Sequence, residues 1–275
     1  MNGVSSSTHL LRDLAPIPEN AWAKIDEEAR ERLRPLLAAR RLADWAGPGG
    51  WQRSARDLGR VERVEKAPDG GSARVRAARR VVRPLVEFTV DFQVDRREVE
   101  AVQRGASAPE FDDLAAAVRE AAEIENRGVF HGWPEAGIAG LTRCSSHAGE
   151  QLGSDCQAYP AIVARAVDQL RCTGIEGPYA LVIGPAGYTR IVETTEHGGH
   201  LLLDHLKQVL GGPILWAPGV DGAIVASKRE GDVVLDVGQD FAIGYRSHDA
   251  DAVHLYLEES FTIEVVEPDA AIALT

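Results

Sequence analysis

The sequence predicts an α+β fold with helices and sheets segregated along the chain, and three observations carry that prediction. Between residues 19 and 42, Trp22, Ile25, Ala29, Leu33 and Leu36/Leu37 recur at intervals of three and four, the stripe of an amphipathic helix. Between 86 and 95, Val86, Phe88, Val90, Phe92 and Val94 alternate with Glu87, Thr89, Asp91, Gln93 and Asp95, a strand with one buried and one wet face. From residue 213 onward, short apolar runs bounded by turn residues follow one another: ILWAP, AIVASK, VVLDVG, FAIGY, VHLYLE and FTIEVVE. Runs of helix followed by runs of strand are the pattern of an α+β chain.

Taken in order, the 19–42 helix contains Pro35, which should kink or split it. Gly47-Pro48-Gly49-Gly50 then marks a loop. LGRVERVEK and ARVRAARRVV read as two arms of a hairpin around Pro68-Asp69-Gly70-Gly71. This hairpin is arginine-rich and poor in large apolar side chains, so it cannot bury a core of its own and must lie on a partner or stand in solvent. After the 86–94 strand, Ser107-Ala108-Pro109-Glu110 reads as a capping box opening a long helix to about Arg127, with Phe111, Leu114, Val118 and Ala121/Ala122 inward. Residues 143–158 show no period. Tyr159-Pro160 opens another helix, with Ile162, Val163, Ala166, Val167 and Leu170 inward and Gly174 as its stop. A strand at Tyr179–Ile183 and two short helices complete the middle of the chain.

Composition is that of an ordinary globular protein, with 44% hydrophobic and 26% charged residues. The N-terminal residues lack the charged and apolar regions of a secretory signal, and no apolar run is long enough to suggest a membrane span. Cys144, Cys156 and Cys172 match no zinc spacing and read as reduced thiols. The net charge is −12, unevenly placed: residues 1–104 hold 20 Lys/Arg against 16 Asp/Glu, the remainder 10 against 26. An acidic total speaks against a nucleic-acid-binding role, and two segments of opposite sign could meet in an assembly.

Four stretches invite a chemical reading. GIEGPYALVIGPAGYTR (174–190) has the strand–glycine turn–helix layout of a phosphate cradle, but it lacks both a third glycine at dinucleotide spacing and Gly-Lys-Ser/Thr. Pro185 also removes a donor from such a cradle. Glu196-His197-Gly198-Gly199-His200, with His205 beyond, holds metal-ligand residue types, yet it is not H-E-x-x-H and a polar loop is the default. Cys144-Ser145-Ser146-His147 places a thiol near an imidazole without a nucleophile elbow. Glu258-Glu259 falls in a strand, where alternation sends the two carboxylates to opposite faces. No constellation requires an enzyme.

Over nearly its whole length the chain resembles the family 1 encapsulins, bacterial and archaeal shell proteins with the fold of tailed-phage major capsid proteins. The stretches that carry the resemblance are LAPIPENAWAKIDEEAR (14–30), RPLVEFTVDFQVDRREVEAVQRGA (83–106) and ENRGVFHGWPEAGIAGL (125–141). GIEGPYALVIGP (174–185), PILWAPGVDGAIVASKREGDVVLDVGQDFAIGYRSHD (213–249) and VHLYLEESFTIEVVEP (253–268) continue it in the same order. The resemblance implies an N-terminal arm and interior helix (1–57), an extended loop (58–84), a peripheral domain (85–140 and 220–275) and an axial domain (141–219).

It implies a cytoplasmic, icosahedral homo-oligomer of the smallest class, a 60-mer, with no nucleic acid and no membrane partner. The shell would enclose a cargo enzyme, such as a dye-decolourising peroxidase or a ferritin-like protein, through the cargo's C-terminal tail. The interior groove for that tail would include Leu33, Arg40 and Asp44, with Phe241 and Ile243 nearby, while Trp22 and Ile25 face the core. Five copies of Glu196, His197, Gly198, Gly199 and His200 would ring a five-fold channel gating small molecules or ions, with Gly198-Gly199-His200 standing where relatives commonly show Gly-Tyr-Pro. Such rings would charge and repel as pH falls through about 6.5. No catalytic residue, metal or cofactor is implied. Some relatives hold flavin through an aromatic residue at the place Arg97 occupies here. The alternatives are a capsid that packages nucleic acid and a hydrolase or protease using the 196–205 histidines.

Overall fold

In the computed structural model, which describes residues 8–65, 68, 74–153, 155–195 and 201–275, the apolar residues gather into two cores that share a wall. Helix α1 (Glu19–Leu36) buries Ala21, Trp22, Ile25, Ala29 and Leu33, the stripe read in the sequence. Pro35, lacking a backbone donor, lies in its last turn. The chain breaks at Leu37–Ala38 and resumes as α2 (Ala39–Leu42), so the 19–42 helix is split as expected. Strand β1 (Asp44–Ala46) follows.

Strands β2 (Ala55–Val64) and β3 (Ala77–Pro84) pair antiparallel with each other and, among the described residues, with no further strand. The base of this ribbon is tied down. Arg53 and Arg56 both reach the buried Asp236 carboxylate, at 2.6 and 3.1 Å, and Arg56 also reaches Glu264 at 2.6 Å. Strand β4 (Val86–Asp95) alternates as read, with Phe88, Val90, Phe92 and Val94 buried.

Two expectations need correction at this point. Helix α3 (Arg96–Gln103), unforeseen in the sequence, starts where the Asp95 carboxylate accepts from the Arg97 N–H. The Ser107–Glu110 capping box does not form, and α4 runs from Asp112 to Phe130. Glu98 of α3 captures the Glu110 N–H at 2.9 Å, and Phe111 sits buried at the boundary, which holds residues 107–111 outside the helix.

The middle of the chain gives α5 (Leu141–Cys144), α6 (Tyr159–Cys172), β5 (Tyr179–Ile183), α7 (Pro185–Glu193) and α8 (Leu202–Leu210). The last segment gives β6 (Ile214–Trp216), β7 (Ala223–Ser227), β8 (Val233–Val237), β9 (Ala242–His248), β10 (Ala252–Val265) and β11 (Ala271–Leu274). VHLYLE and FTIEVVE, read as two strands, are one. Glu258, Glu259 and Ser260 interrupt the apolar pattern but are themselves buried within β10. β11 was not anticipated.

Strands β1, β8, β10 and β4 lie side by side in that order, with β9 also pairing β10. This sheet packs under α1 and α4 in the first core. A four-stranded sheet, β11-β7-β5-β6, forms the shared wall and takes β7 and β11 from outside the 141–219 segment. Its Ala180, Val182 and Ile224 face the first core; Leu181, Ile183 and Val225 face the second, against α6 and α8. Burial on both faces explains why Tyr179–Ile183 is a continuous apolar run rather than an alternating one.

The glycine turn that follows β5 has a packing role. A Cβ on Gly184 would stand 2.2 Å from the Val220 carbonyl oxygen, and its N–H donates to Gly222 O. With Pro185 contributing no donor, the turn is scaffold between β5 and the 217–222 loop.

Candidate functional site

A cavity of about 540 Å³ opens between α1, the start of α2 and the beginning of β9. Leu33, Leu37, Phe241, Ile243 and Leu257 give it an apolar floor, and Arg30, Arg34 and Arg41 stand exposed at its edge. Of the five residues assigned to the groove, Leu33, Arg40, Phe241 and Ile243 line it. Asp44 does not. Its carboxylate accepts the Gly231 N–H at 2.6 Å and fastens β1 to the turn before β8. Trp22 and Ile25 are buried in the core, as expected.

The groove lies where α1 stops and α2 starts, and one side chain holds that break. Asn126 of α4 is fully buried. Its Oδ1 accepts the Ala39 N–H at 3.0 Å, while its Nδ2 donates to Leu36 O at 2.8 Å and to Pro218 O at 3.0 Å. Backbone groups orphaned by a helix end must find such partners when buried.

Arg40, the residue after clamped Ala39, is the centre of a charge cluster. Its Nε donates to Glu125 at 2.7 Å, Nη1 to Asp240 at 2.8 Å and Nη2 to Glu259 at 2.6 Å. The guanidinium also lies 4.4 Å from the Trp45 ring and 4.9 Å from the Phe241 ring. Burial alone would lower the Arg40 pKa, but the charges of Glu125, Glu259 and Asp240 outweigh it and raise the pKa above the ordinary arginine value. Burial, reinforced by the neighbouring Glu125 charge, raises the Glu259 carboxyl well above its ordinary range despite Arg40.

Glu125, Asn126 and Asp240 escaped the sequence reading, and Glu259 entered it only as the neighbour of Glu258, although two periodicities point to three of the four. Ala121, Ala122, Glu125, Asn126 and Val129 continue one buried face of α4. Leu255, Leu257, Glu259, Phe261 and Ile263 share one parity of β10, and all are buried. Polar residues at core positions are the informative exceptions. Glu258 points the other way, to His9 at 2.6 Å, as alternation requires. The acid that meets Glu259 comes from α4, not from its neighbour in sequence.

Glu196, His197, Gly198, Gly199 and His200 lie outside the described residues. Their flanks are drawn together by the Thr195–Leu201 pairing and the Leu202 N–H to Thr194 O bond. Among the described residues no His, Cys, Asp and Glu cluster could hold a metal. At 144–147 burial pushes the Cys144 thiol up, Ser145 Oγ donates to Ala271 O, and His147 contacts Asp269 O and Gln169. These residues stitch a loop to the last strand and do not pair a nucleophile with a base. Arg97 is exposed at the start of α3 and paired to Asp95.

Residues 7–262 match the family model described as encapsulating protein for peroxidase. A type 1 encapsulin shell protein of Rhodospirillum rubrum is 46% identical over 267 residues, covering 96% of this chain and 95% of that one. The chain belongs to the type 1 encapsulin shell proteins. Solved structures show the corresponding fold. A virus-like particle from Pyrococcus furiosus superposes with a TM-score of 0.64 at 18% identity, covering 92% of this chain and 99% of that one. The capsid of an empty GTA particle gives 0.54 at 14%, covering 86% and 89%. The encapsulin fold is thus that of a phage-type capsid protein, and the encapsulin role is structural: a subunit of a capsid-like compartment.

Proposed function

We propose that this encapsulin closes into a cytoplasmic icosahedral shell, a 60-mer, and that its α1–β9 groove takes the C-terminal tail of an enzyme cargo. A peroxidase is the first candidate, from the description of the family model; a ferritin-like protein is the second. The observation that carries this reading is the groove itself, an apolar floor rigidly backed by the Arg40 cluster on a shell subunit. Chemistry belongs to the cargo, and the shell confines it. The net charge of −12 weighs against packaged nucleic acid. No flavin is proposed, because Arg97 offers a charged, solvent-exposed side chain in place of an aromatic ring.

The tail reading is tested with Leu33→Asp, which sets a charge on the apolar floor. Loading of a reporter carrying the cargo tail should fall by the equivalent of a hot-spot contact, about 2–4 kcal/mol, while shells still form. Loading equal to wild type, measured by co-purification, removes Leu33 and its groove from cargo docking.

The 196–200 stretch is assigned to a five-fold channel on the resemblance alone. Its histidines should charge below about pH 6.5 and widen the channel by mutual repulsion. Electron cryomicroscopy on either side of that pH checks this: the pore radius should grow on acidification, and an unchanged radius refutes the gating.

A further inference from the structure

We propose that Glu125 and Glu259 share a single proton, and that this carboxyl–carboxylate pair positions Arg40, and through it Phe241, at the groove wall. Both side chains have zero exposure, one from α4 and one from β10. Each gives one oxygen to the same guanidinium: Glu125 Oε2 to Nε and Glu259 Oε1 to Nη2. The remaining oxygens, Glu125 Oε1 and Glu259 Oε2, are both buried and both without a hydrogen-bond partner. Two ionised acids cannot relieve each other there, since a carboxylate only accepts. The two carboxyls are within side-chain hydrogen-bonding reach of each other, so one proton turns one orphan into a donor and the other into its acceptor, and satisfies both.

Charge balance leads to the same place. Among the described residues, the charged groups that act on Glu259 are Arg40 from α2, Glu125 from α4 and Asp240 from the loop before β9. Asp240, with 41% of its side chain exposed, carries its charge at the solvent edge. The buried remainder is one guanidinium against two carboxyls. With both ionised it holds an uncompensated negative charge, which is costly away from water; with one proton it is neutral. The raised Glu259 titration agrees with this state.

The folded chain keeps a proton that Glu259 in the unfolded chain loses near pH ~4.3. Stability contributed by the pair is therefore complete below that pH and is lost as pH rises toward the folded value. Glu259→Gln mimics the protonated acid, since its carbonyl can accept from Arg40 and its amide can donate to Glu125.

The proton itself is independent of the groove; its consequence for loading rests on the tail-binding reading above. Infrared spectra of intact shells in heavy water test the first part. A protonated-carboxyl stretch should persist at about pH 7, where ordinary glutamates are ionised, and should be lost in Glu259→Gln. Glu125→Gln gives the same readout if the first variant fails to assemble. Absence of the band in wild type, or its survival in both variants, overturns the proposal.

Denaturation and reporter loading, followed from about pH 6 to pH 9, test the positioning role. Wild type should lose stability and loading with rising pH, and Glu259→Gln should flatten both profiles. Equal slopes in the two proteins overturn that role. If Leu33→Asp leaves loading untouched while the band behaves as described, it is the groove reading that fails and the shared proton that stands.

Discussion

Arg40→Ala should strongly destabilise the folded subunit. Among the described residues it removes the one cation that Glu125 and Glu259 touch, leaving two acids of zero exposure without that counter-charge. Removing one partner of a buried ion pair typically costs about 3–5 kcal/mol, and the stacked contacts with Trp45 and Phe241 add roughly 1 kcal/mol. Arg40→Lys should recover only part of this, because an ammonium cannot present the three-way fork that reaches α4, β10 and Asp240 together.

The pH dependence separates a charge effect from simple loss of packing. Without Arg40 the Glu259 carboxyl loses the charge that lowers its pKa, so that folded pKa rises further and the variant regains stability as pH falls. Chemical denaturation at neutral and mildly acidic pH measures this. An Arg40→Ala protein within about 1 kcal/mol of wild type at neutral pH would remove the cluster from any role in holding the groove.

The same cluster marks the boundary of what the sequence discloses. β4, β5 and α6 were legible because their patterns report a single local fact, one buried face or two. Four of the five residues assigned to the groove through resemblance to a family line one cavity in the structure. The arrangement behind them was not legible, because Arg40 meets partners 85, 200 and 219 positions away. Asp44 has a groove-compatible chemistry, but its carboxylate is taken by the Gly231 backbone, a contact no local pattern encodes. The capping box at 107–110 failed for a related reason: the competing partner, Glu98, belongs to a helix that the sequence reading did not contain. Even so, Glu125 and Glu259 sit at core-facing positions of α4 and β10, and a polar residue at a core position is a signal that could have been followed.

Deleting residues 60–80 should abolish closed shells while leaving the subunit folded. The β2–β3 ribbon pairs with no further strand among the described residues, and its valines stand in solvent, with Val61 65%, Val75 53% and Val82 44% exposed. A lone two-stranded ribbon is marginal in water, so these faces need cover from neighbouring copies, which a shell supplies. The cut leaves the anchors in place: Arg53 and Arg56 on Asp236, and Arg56 on Glu264, all lie outside it. It can also be closed with little strain. Arg60 pairs with Val81 across the ribbon, so Gly59 and Val81 already lie side by side, and Gly59 has a φ of 65° suited to a tight turn. None of the described residues within 60–80 belongs to either core. Circular dichroism should therefore keep its helical signal while size-exclusion chromatography moves from a shell-sized particle to small species. Closed particles of wild-type size from the deleted chain would show that the ribbon is dispensable and that other surfaces hold the shell together.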